Sequence, residues 1–229
     1  GVPDRTHPGF IALEHLVCGV AMSRAAVEML GGGLAPLARE EALNLLTSWM
    51  DDLASDLSLG ELVERLRSLR AELLSKVFGQ DHAAQAFVEG LYNAQVTAAA
   101  DKDRKRPEGI FIFVGPPGVG KTYMSELCAA QLKRPFRRFD MTSFSDHQSH
   151  NDLIGFAESY KGAQPGQLTG FVDSNPNAIL LFDEIEKAHL NTMQLFYQIL
   201  DAGRLEDKFM KRDVSFRDTL IIFTTNAGR

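Results

Sequence analysis

The stretch "GPPGVGKT" at residues 115–122 constrains the fold of this chain more than any other part of its sequence. The apolar run "IFIFV" at 110–114 precedes it and predicts a strand buried on both faces, while a helix is predicted over 121–133. Glycines at such a turn let backbone N–H groups approach an anion, and the helix N-terminus adds a positive dipole end. The context therefore favours a phosphate-binding loop over a chance glycine-rich turn.

All eight residues of this loop are candidates for binding a nucleotide, and two carry side chains with specific roles. We expect Lys121 to contact the terminal phosphates and to act in catalysis, and the Thr122 hydroxyl to be a ligand of Mg²⁺. The loop consists of Gly115, Pro116, Pro117, Gly118, Val119, Gly120, Lys121 and Thr122.

A second part of the same site is predicted in "AILLFDEIEKAH" at 178–189. Asp183 ends a predicted buried strand, where a parallel sheet places its ligand groups, so we expect it to bind Mg²⁺ directly or through water. Glu184 is then placed to polarise a water for attack on the terminal phosphate. Acidic residues also favour a helix N-terminus, but that alternative does not explain two adjacent acids after an apolar strand. Together the two motifs predict ATP and Mg²⁺ as cofactors.

Two further runs, "PFRRFD" at 135–140 and "TLIIFTT" at 219–225, complete a set of four predicted strands. Helical stretches separate the first three strands, so we predict an α/β fold, a P-loop NTPase core whose parallel sheet is flanked by helices. Asn226 follows the fourth strand and would lie beside the other strand ends. Its amide could orient the attacking water or contact the terminal phosphate, although asparagine before a small residue is also a common turn former.

The region before the sheet is predicted to be helical. Apolar residues recur at helical spacing from residue 10 to about residue 54, and another helix is expected to begin at Ser58, where Glu61 completes a capping box. Its apolar stripe consists of Leu62, Leu66, Leu69 and Leu73. We predict two domains, a helical N-terminal region at 1–57 and a nucleotide-binding domain at 58–229.

Composition excludes several classes of function. The net charge of −6 argues against a protein that binds polyanions with its whole surface. No apolar run reaches the ~20 residues that cross a bilayer, and no signal peptide is visible at the N-terminus. Cys18 and Cys128 are far apart and are expected to be buried reduced thiols, which fits a cytoplasmic location. Because the chain does not begin with methionine, we expect it to be a piece of a longer protein.

From Leu66 onward the sequence resembles the second ATPase module of the Clp unfoldases and disaggregases, which are AAA+ proteins. The resemblance rests on the phosphate loop together with "LLSKVFGQDHA", "LIGFAESYKG", "ILLFDEIEKAH", "QILDAGRLED" and "LIIFTTNAG". It implies an AAA+ type core and an ATPase that threads unfolded or aggregated proteins through a homo-hexameric ring. A peptidase or an adaptor is a further partner that the resemblance suggests, whereas nucleic acid and membrane partners are not expected.

The same resemblance assigns roles to individual residues. Three of them would flank the adenine: Phe78, Gly79 and Gln80. Asn226 would be the first sensor, and 203–218 would be the hairpin that precedes the sensor strand. In this family the helical lid and the arginine that enters a neighbouring subunit's site lie further along the chain than Arg229. We therefore expect this fragment alone to be a poorly active ATPase.

The loop between the two nucleotide motifs faces the channel of the ring in this family. Tyr160 matches the aromatic residue that contacts a threaded polypeptide there, and a tyrosine packs against most chain segments without reading sequence. Ser159 and Lys161 depart from the usual glycine and small aliphatic neighbours, which leaves the substrate preference open; Lys161 could favour acidic segments. A tyrosine folded back onto its own module is the alternative.

Other interpretations stay open for the remaining features. Residues 10–34 resemble part of one Clp N-domain repeat, and a plain packing helix explains the same pattern. The histidines of "DHQSH" at 146–150 are interpreted as part of a polar loop rather than a metal site. The basic "KRPFRRFD" at 133–140 is assigned to a sheet edge or a ring interface rather than to nucleic acid.

Two rival functions come from other classes. One is a DNA-acting AAA+ motor, which the acidic net charge and Tyr160 disfavour, because DNA motors line their channels with cations. The other is a scaffold that binds ATP only to assemble. Glu184 disfavours the scaffold, because a protein that does not hydrolyse ATP has no need of a water-polarising acid.

Overall fold

The structure of the protein is a computed structural model that describes residues 60–101, 103–157 and 163–226. The predictions for the helices before residue 58, for Cys18, and for Tyr160 and Lys161 concern residues outside these ranges. From Leu62 onward the described residues belong to one compact unit. The division into domains at residues 57 and 58 stays a prediction.

The helices and strands predicted between residues 60 and 226 occur in the predicted order. Helix α1 covers 60–76, and three leucines of the predicted stripe are buried in it: Leu66, Leu69 and Leu73. The later helices are α2 (Asp81–Ala100), α3 (Lys121–Leu132), α4 (His150–Ile154), α5 (Thr169–Ser174) and α6 (Leu190–Ala202). The strands are β1 (Gly109–Val114), β2 (Phe136–Asp140), β3 (Ile179–Asp183), β4 (Arg204–Asp207), β5 (Arg212–Ser215) and β6 (Leu220–Thr225). None of the helices in the described ranges has the length and apolar character needed to span a membrane.

Four strands form one parallel sheet in the order β1-β6-β3-β2. Each of them starts within one residue of its predicted start and ends where the sequence predicts, which confirms the α/β fold with a parallel sheet. Strands β4 and β5 pair antiparallel as the predicted hairpin. Because all four strands of the sheet run the same way, their carboxyl ends meet at one edge, which is where such sheets bind ligands.

Side chains cover both faces of the inner strands β3 and β6. On one face, alternate residues of these strands pack against α1, α2 and α3. On the other face, the Phe182 ring stacks on Phe139 and Phe223 at centroid distances of 5.3 and 5.4 Å, and it meets Phe196 of α6 edge-on. Because alternate residues enter opposite cores, both strands are apolar along their length.

Strand β1 departs from the prediction that both of its faces are buried. Phe111 and Phe113 each pack edge-on against Phe87 of α2, with ring centroids 5.0 Å apart. Ile112 and Val114, on the opposite face, are 63% and 64% exposed. The reason is that β1 is an outer strand of the described sheet, while α6, which covers that face, packs over the inner strands.

Cys128 on α3 is fully buried, and burial raises the pKa of its thiol to about 12. The predicted buried free thiol is therefore confirmed for this cysteine. Because the thiolate is the reactive form, we expect iodoacetamide at about pH 8 to leave Cys128 unmodified in the native protein and to label it after unfolding in urea. Mass spectrometry of a Cys18→Ser variant measures the label. Rapid labelling of the native variant would contradict this prediction.

Candidate functional site

Residues predicted from the two nucleotide motifs lie together at the carboxyl edge of the sheet. Lys121 begins α3 shortly after β1, Asp183 ends β3, and Asn226 follows β6. Strand β6 lies between β1 and β3, so three neighbouring strand ends bring these side chains into one cleft.

The ammonium group of Lys121 is held by three oxygen atoms. Its Nζ donates to the carbonyl oxygens of Gly115 at 2.6 Å and Pro116 at 2.9 Å. It also donates to Oδ1 of Asn226 at 2.9 Å. All three acceptors are neutral, so the charge of Lys121 is available to an anion that enters the loop.

Two positions of the phosphate loop require glycine. Gly118 and Gly120 have φ values of +83° and +95°, a region in which other residues are strained. A Cβ on Gly120 would also lie 3.0 Å from Cγ1 of Val77 at the end of α1. The loop conformation therefore depends on the absence of side chains, as the motif implies.

Asp183 is 7% exposed, and its carboxylate contacts one polar group from each of three elements. The Thr122 hydroxyl of α3 donates to Oδ2 at 3.3 Å, and the Arg138 guanidinium of β2 lies 2.6 Å from the same oxygen. The Thr224 hydroxyl of β6 donates to Oδ1. These contacts hold the carboxylate of Asp183 toward the hydroxyl of Thr122.

Arg138 was not among the predicted site residues. Its guanidinium forms an ion pair with Asp183, and Asp140 at the end of β2 pairs in register with Asp183 at the end of β3. Hydrogen bonds from the hydroxyl and the backbone N–H of Thr142 hold the pKa of Asp140 below its usual value, with the charge of Arg138 as a smaller cause. Sequence alone offers only the adjacent arginines of β2, Arg137 and Arg138, as a signal for this role.

Asn226 joins the lysine of the phosphate loop to the second acid of the site. Its Oδ1 accepts from Lys121, while its Nδ2 donates to Oε1 of Glu184 at 2.8 Å. Its backbone N–H donates to Oε1 of Glu186 at 3.1 Å. A side-chain amide has an acceptor and a donor end, so it can contact a cation and a carboxylate at once.

The backbone of Glu184 adopts a left-handed conformation with φ +56°. Such a conformation is uncommon for a residue other than glycine and persists where surrounding contacts hold it. One of these contacts comes from Thr224, whose Oγ1 accepts from the Glu184 N–H at 3.1 Å while donating to Asp183. Sequence reasoning missed Thr224, although two threonines at the end of the apolar run "LIIFTT" are a signal.

A cavity of about 400 Å³ adjoins the phosphate loop. Its lining is mostly apolar side chains of α2, β1 and α3, and it includes Gln80, Ala83, Phe87, Val119, Lys121 and Met124. Of the residues predicted to flank the adenine, Gln80 therefore lines a cavity beside the phosphate loop. Phe78 is 85% exposed, and Gly79 takes a turn conformation with φ +73°.

The donors at this edge fit Mg²⁺ in a site that shares the ion with phosphate. The Thr122 hydroxyl and the Asp183 carboxylate supply the hard oxygen ligands that Mg²⁺ prefers, and the ion usually takes only one or two carboxylates and completes its shell with phosphate and water. Within the described ranges, no group of three His, Cys, Asp or Glu side chains is placed to hold a metal ion. The hydroxyl of Thr122 and the carboxylate of Asp183 would leave the rest of the coordination shell of a magnesium ion to phosphate and water.

Comparisons with known proteins identify a family and several relatives for this sequence. Residues 106–229 match the family described as AAA domain (Cdc48 subfamily). The chain is 41% identical over 168 residues to the "ATP-dependent Clp protease ATP-binding subunit ClpE" of Bacillus subtilis, which covers 72% of this chain and 24% of that protein. It is 43% identical over 169 residues to the "Chaperone protein ClpB" of Clostridium perfringens, covering 72% and 19%. The chain thus spans about a fifth to a quarter of the length of these relatives.

Proposed function

The chain belongs to the AAA family as a module of the Clp type, and from this premise we propose that it hydrolyses ATP to unfold or remodel proteins. The observation that carries the proposal is the side chain of Asn226, which contacts both Lys121 and Glu184. A phosphate-binding cation and a candidate base for water are thereby brought into one network, and both kinds of group take part in nucleotide hydrolysis.

In this proposal the loop at 115–122 binds the phosphates, and Lys121 exchanges a carbonyl contact for a phosphate oxygen. Thr122 and Asp183 would hold Mg²⁺, which would supply positive charge to the phosphates. Gln80, which lines the cavity beside the loop, would contact the adenine together with Phe78 and Gly79.

Glu184 is the proposed general base, and Asn226 orients both the carboxylate and the attacking water. Hydrogen bonds to Asn226 and Thr224 fix the side chain and the backbone of Glu184, so the carboxylate needs little reorganisation before it accepts a proton. Arg138 is proposed to keep the Asp183 carboxylate in place.

We also propose that the whole protein works as a homo-hexameric ring in the cytoplasm. Tyr160, followed by Lys161, would contact the polypeptide in the channel. Two kinds of relatives support protein substrates, since one is named as an ATP-binding subunit of a protease and the other as a chaperone. A peptidase or an adaptor is a further proposed partner.

The rival DNA-acting motor receives no support from the basic stretch at 133–140. Arg134 is paired with Glu108 and Arg138 with Asp183, so these two cations are occupied inside the module. A nucleic acid is bound by lysines and arginines that neutralise its phosphates and release the counterions condensed on it. The proposal therefore favours a protein over a nucleic acid as the substrate.

Replacing Tyr160 with alanine in the full-length protein tests the threading mechanism. We expect ATP-dependent unfolding of a fluorescent protein with an unstructured tail to slow by roughly tenfold, the factor that corresponds to ~1.4 kcal/mol of lost contact with the polypeptide. Hydrolysis of ATP without substrate should be unchanged, because the phosphate site is untouched. Tyr160→Phe is the matched control and should keep most of the unfolding rate. Undiminished unfolding by Tyr160→Ala would count against threading by this loop.

A further inference from the structure

Asp207 ends β4 and is fully buried, although it is an ionisable residue. Four hydrogen bonds from protein groups take the place of the water that would surround its carboxylate in solution. Their donors come from two separate segments. Oδ1 accepts from the backbone N–H groups of Phe209 at 2.9 Å and Met210 at 2.8 Å, within the hairpin turn. Oδ2 accepts from the backbone N–H of Gly166 at 2.9 Å and from the hydroxyl of Thr169. One carboxylate thus joins the hairpin to a distant part of the chain.

That distant part is the neck, which we define as residues 153–156 and 164–169. The neck flanks the segment that carries Tyr160. Backbone hydrogen bonds join its two stretches: Phe156 N–H to the Gln164 carbonyl at 3.3 Å and Leu168 N–H to the Leu153 carbonyl at 3.1 Å. The ends of the Tyr160 segment are therefore held side by side.

The neck packs backbone against backbone. A Cβ on Gly155 would lie 2.8 Å from the amide nitrogen of Gly166, and one on Gly166 would lie 2.2 Å from the Leu153 carbonyl oxygen. Neither position has room for a side chain. This close approach lets the Gly166 N–H reach the carboxylate of Asp207.

A second contact binds the hairpin to the same neck. The backbone N–H of Lys208 donates to the Ile154 carbonyl at 2.8 Å. Its Nζ donates to Oδ1 of Asn151 at 2.7 Å, just before the neck. Asp207 of the hairpin thus contacts the neck stretch 164–169, and Lys208 contacts the stretch 153–156.

The hairpin is also tied to the nucleotide site. Strand β4 follows α6 directly, and β5 leads into β6, which ends beside Asn226. Leu205 and Val214 of the hairpin are buried in the core that contains Phe182 and Phe223. Because a close-packed core transmits displacements instead of absorbing them, a shift of β6 would move the hairpin and, through Asp207, the neck.

We propose that Asp207 is a positioning residue that clamps the neck to the hairpin, so that changes at the nucleotide site reach the segment carrying Tyr160. The inference rests on the proposed function, in which Tyr160 contacts the substrate. Asp207 is not among the residues proposed to bind nucleotide or substrate. Its buried carboxylate joins the hairpin, which leads into β6, to the neck on either side of the segment that carries Tyr160.

Thr169→Val in the full-length protein removes one donor of the clamp and keeps the shape of the side chain. We expect hydrogen exchange in peptides covering 164–169 to accelerate by roughly 10- to 100-fold, as for the loss of a buried hydrogen bond to a charged group. Unfolding of the protein substrate should slow by roughly tenfold. The kcat and KM of basal ATP hydrolysis should both stay within about twofold, because Lys121, Asp183 and Glu184 keep their contacts.

Two variants separate the clamp from a general loss of stability. Thr169→Ser keeps the hydroxyl. It should restore both the protection of the neck from hydrogen exchange and the rate at which the protein substrate is unfolded. Thr192→Val removes another fully buried hydroxyl, which lies on α6 and donates to the Phe144 carbonyl at 3.4 Å. This variant should leave the neck protected from hydrogen exchange. Asp207→Asn, which cannot accept all four hydrogen bonds, should have a larger effect than Thr169→Val.

Unchanged exchange of the neck in both Thr169→Val and Asp207→Asn would overturn the clamp. If the neck exchanges hydrogen faster but the protein substrate is unfolded at an unaltered rate, the coupling between the clamp and the Tyr160 segment is overturned. This outcome applies when unfolding of the substrate depends on Tyr160. If Tyr160→Ala does not slow the unfolding of the protein substrate, the proposed function fails. The hydrogen-exchange measurements then still support or overturn the clamp by themselves.

Discussion

Replacing Glu184 with glutamine is expected to slow ATP hydrolysis by roughly 10²–10⁴-fold in the full-length protein, the range for loss of a general base. Glutamine keeps an oxygen that can accept from Nδ2 of Asn226, so the network of Lys121 and Asn226 should survive. It cannot accept the proton of the attacking water. Binding of Mg²⁺ and ATP should therefore persist within a few-fold, as measured by calorimetry beside a steady-state hydrolysis assay.

Glu206→Gln is the matched control, since Glu206 is an exposed acid on the hairpin and its loss should not change hydrolysis. The same Glu184 variant also separates the motor from the scaffold. Retained nucleotide with lost protein remodelling supports the motor, whereas unchanged remodelling supports a protein that uses ATP only to assemble. Undiminished hydrolysis would show that another group polarises the water.

Replacing Arg134 with methionine is expected to lower the free energy of unfolding by ~3–5 kcal/mol, because the carboxylate of Glu108 would be left buried without its partner. The side chains of Arg134 and Glu108 are 9% and 12% exposed, and Nη1 lies 2.9 Å from each carboxylate oxygen. The same guanidinium donates to the carbonyls of Asn177 and Asp218. It therefore joins the residues that precede β1, β3 and β6.

Urea denaturation followed by circular dichroism measures this change. Arg204→Met is the control, because Arg204 and Asp213 form an exposed pair at 3.2 Å with side chains 66% and 51% exposed, and such pairs contribute less than ~1 kcal/mol. A double variant, Arg134→Met with Glu108→Leu, should recover part of the lost stability, since it removes the unpaired charge. An equal loss for Arg134→Met and Arg204→Met would contradict the assignment.

The basic stretch at 133–140 shows where sequence reasoning ended. Its assignment to a sheet edge agrees with β2 as one of the two outer strands of the described sheet, but a run of cations gave no sign of separate roles for its members. Arg134 is buried against Glu108, Arg137 lies over the rings of Phe139 and Phe171 at 5.1 and 5.3 Å, and Arg138 meets Asp183. Apart from Phe139, which is two residues from Arg137, these partners are far away in sequence, so spacing could not identify them.

The sequence by itself determined the strands, their order along the chain and the side chains at their ends. These features are local, because a buried parallel strand must be apolar on both faces and a phosphate loop needs glycine where its φ is positive. Positions 115–122, 183, 184 and 226 could therefore be predicted together.

Only the tertiary structure decided how those side chains contact one another. Thr224 holds Asp183 and Glu184 together, Asn226 connects Lys121 with Glu184, and Asp207 reaches the neck 38 residues earlier in the chain at Thr169. Each of these contacts joins residues from different elements, and hydrogen bonds act only over about 3 Å. Sequence patterns specify which face or end of an element a residue occupies, whereas distances of this size depend on how the elements pack.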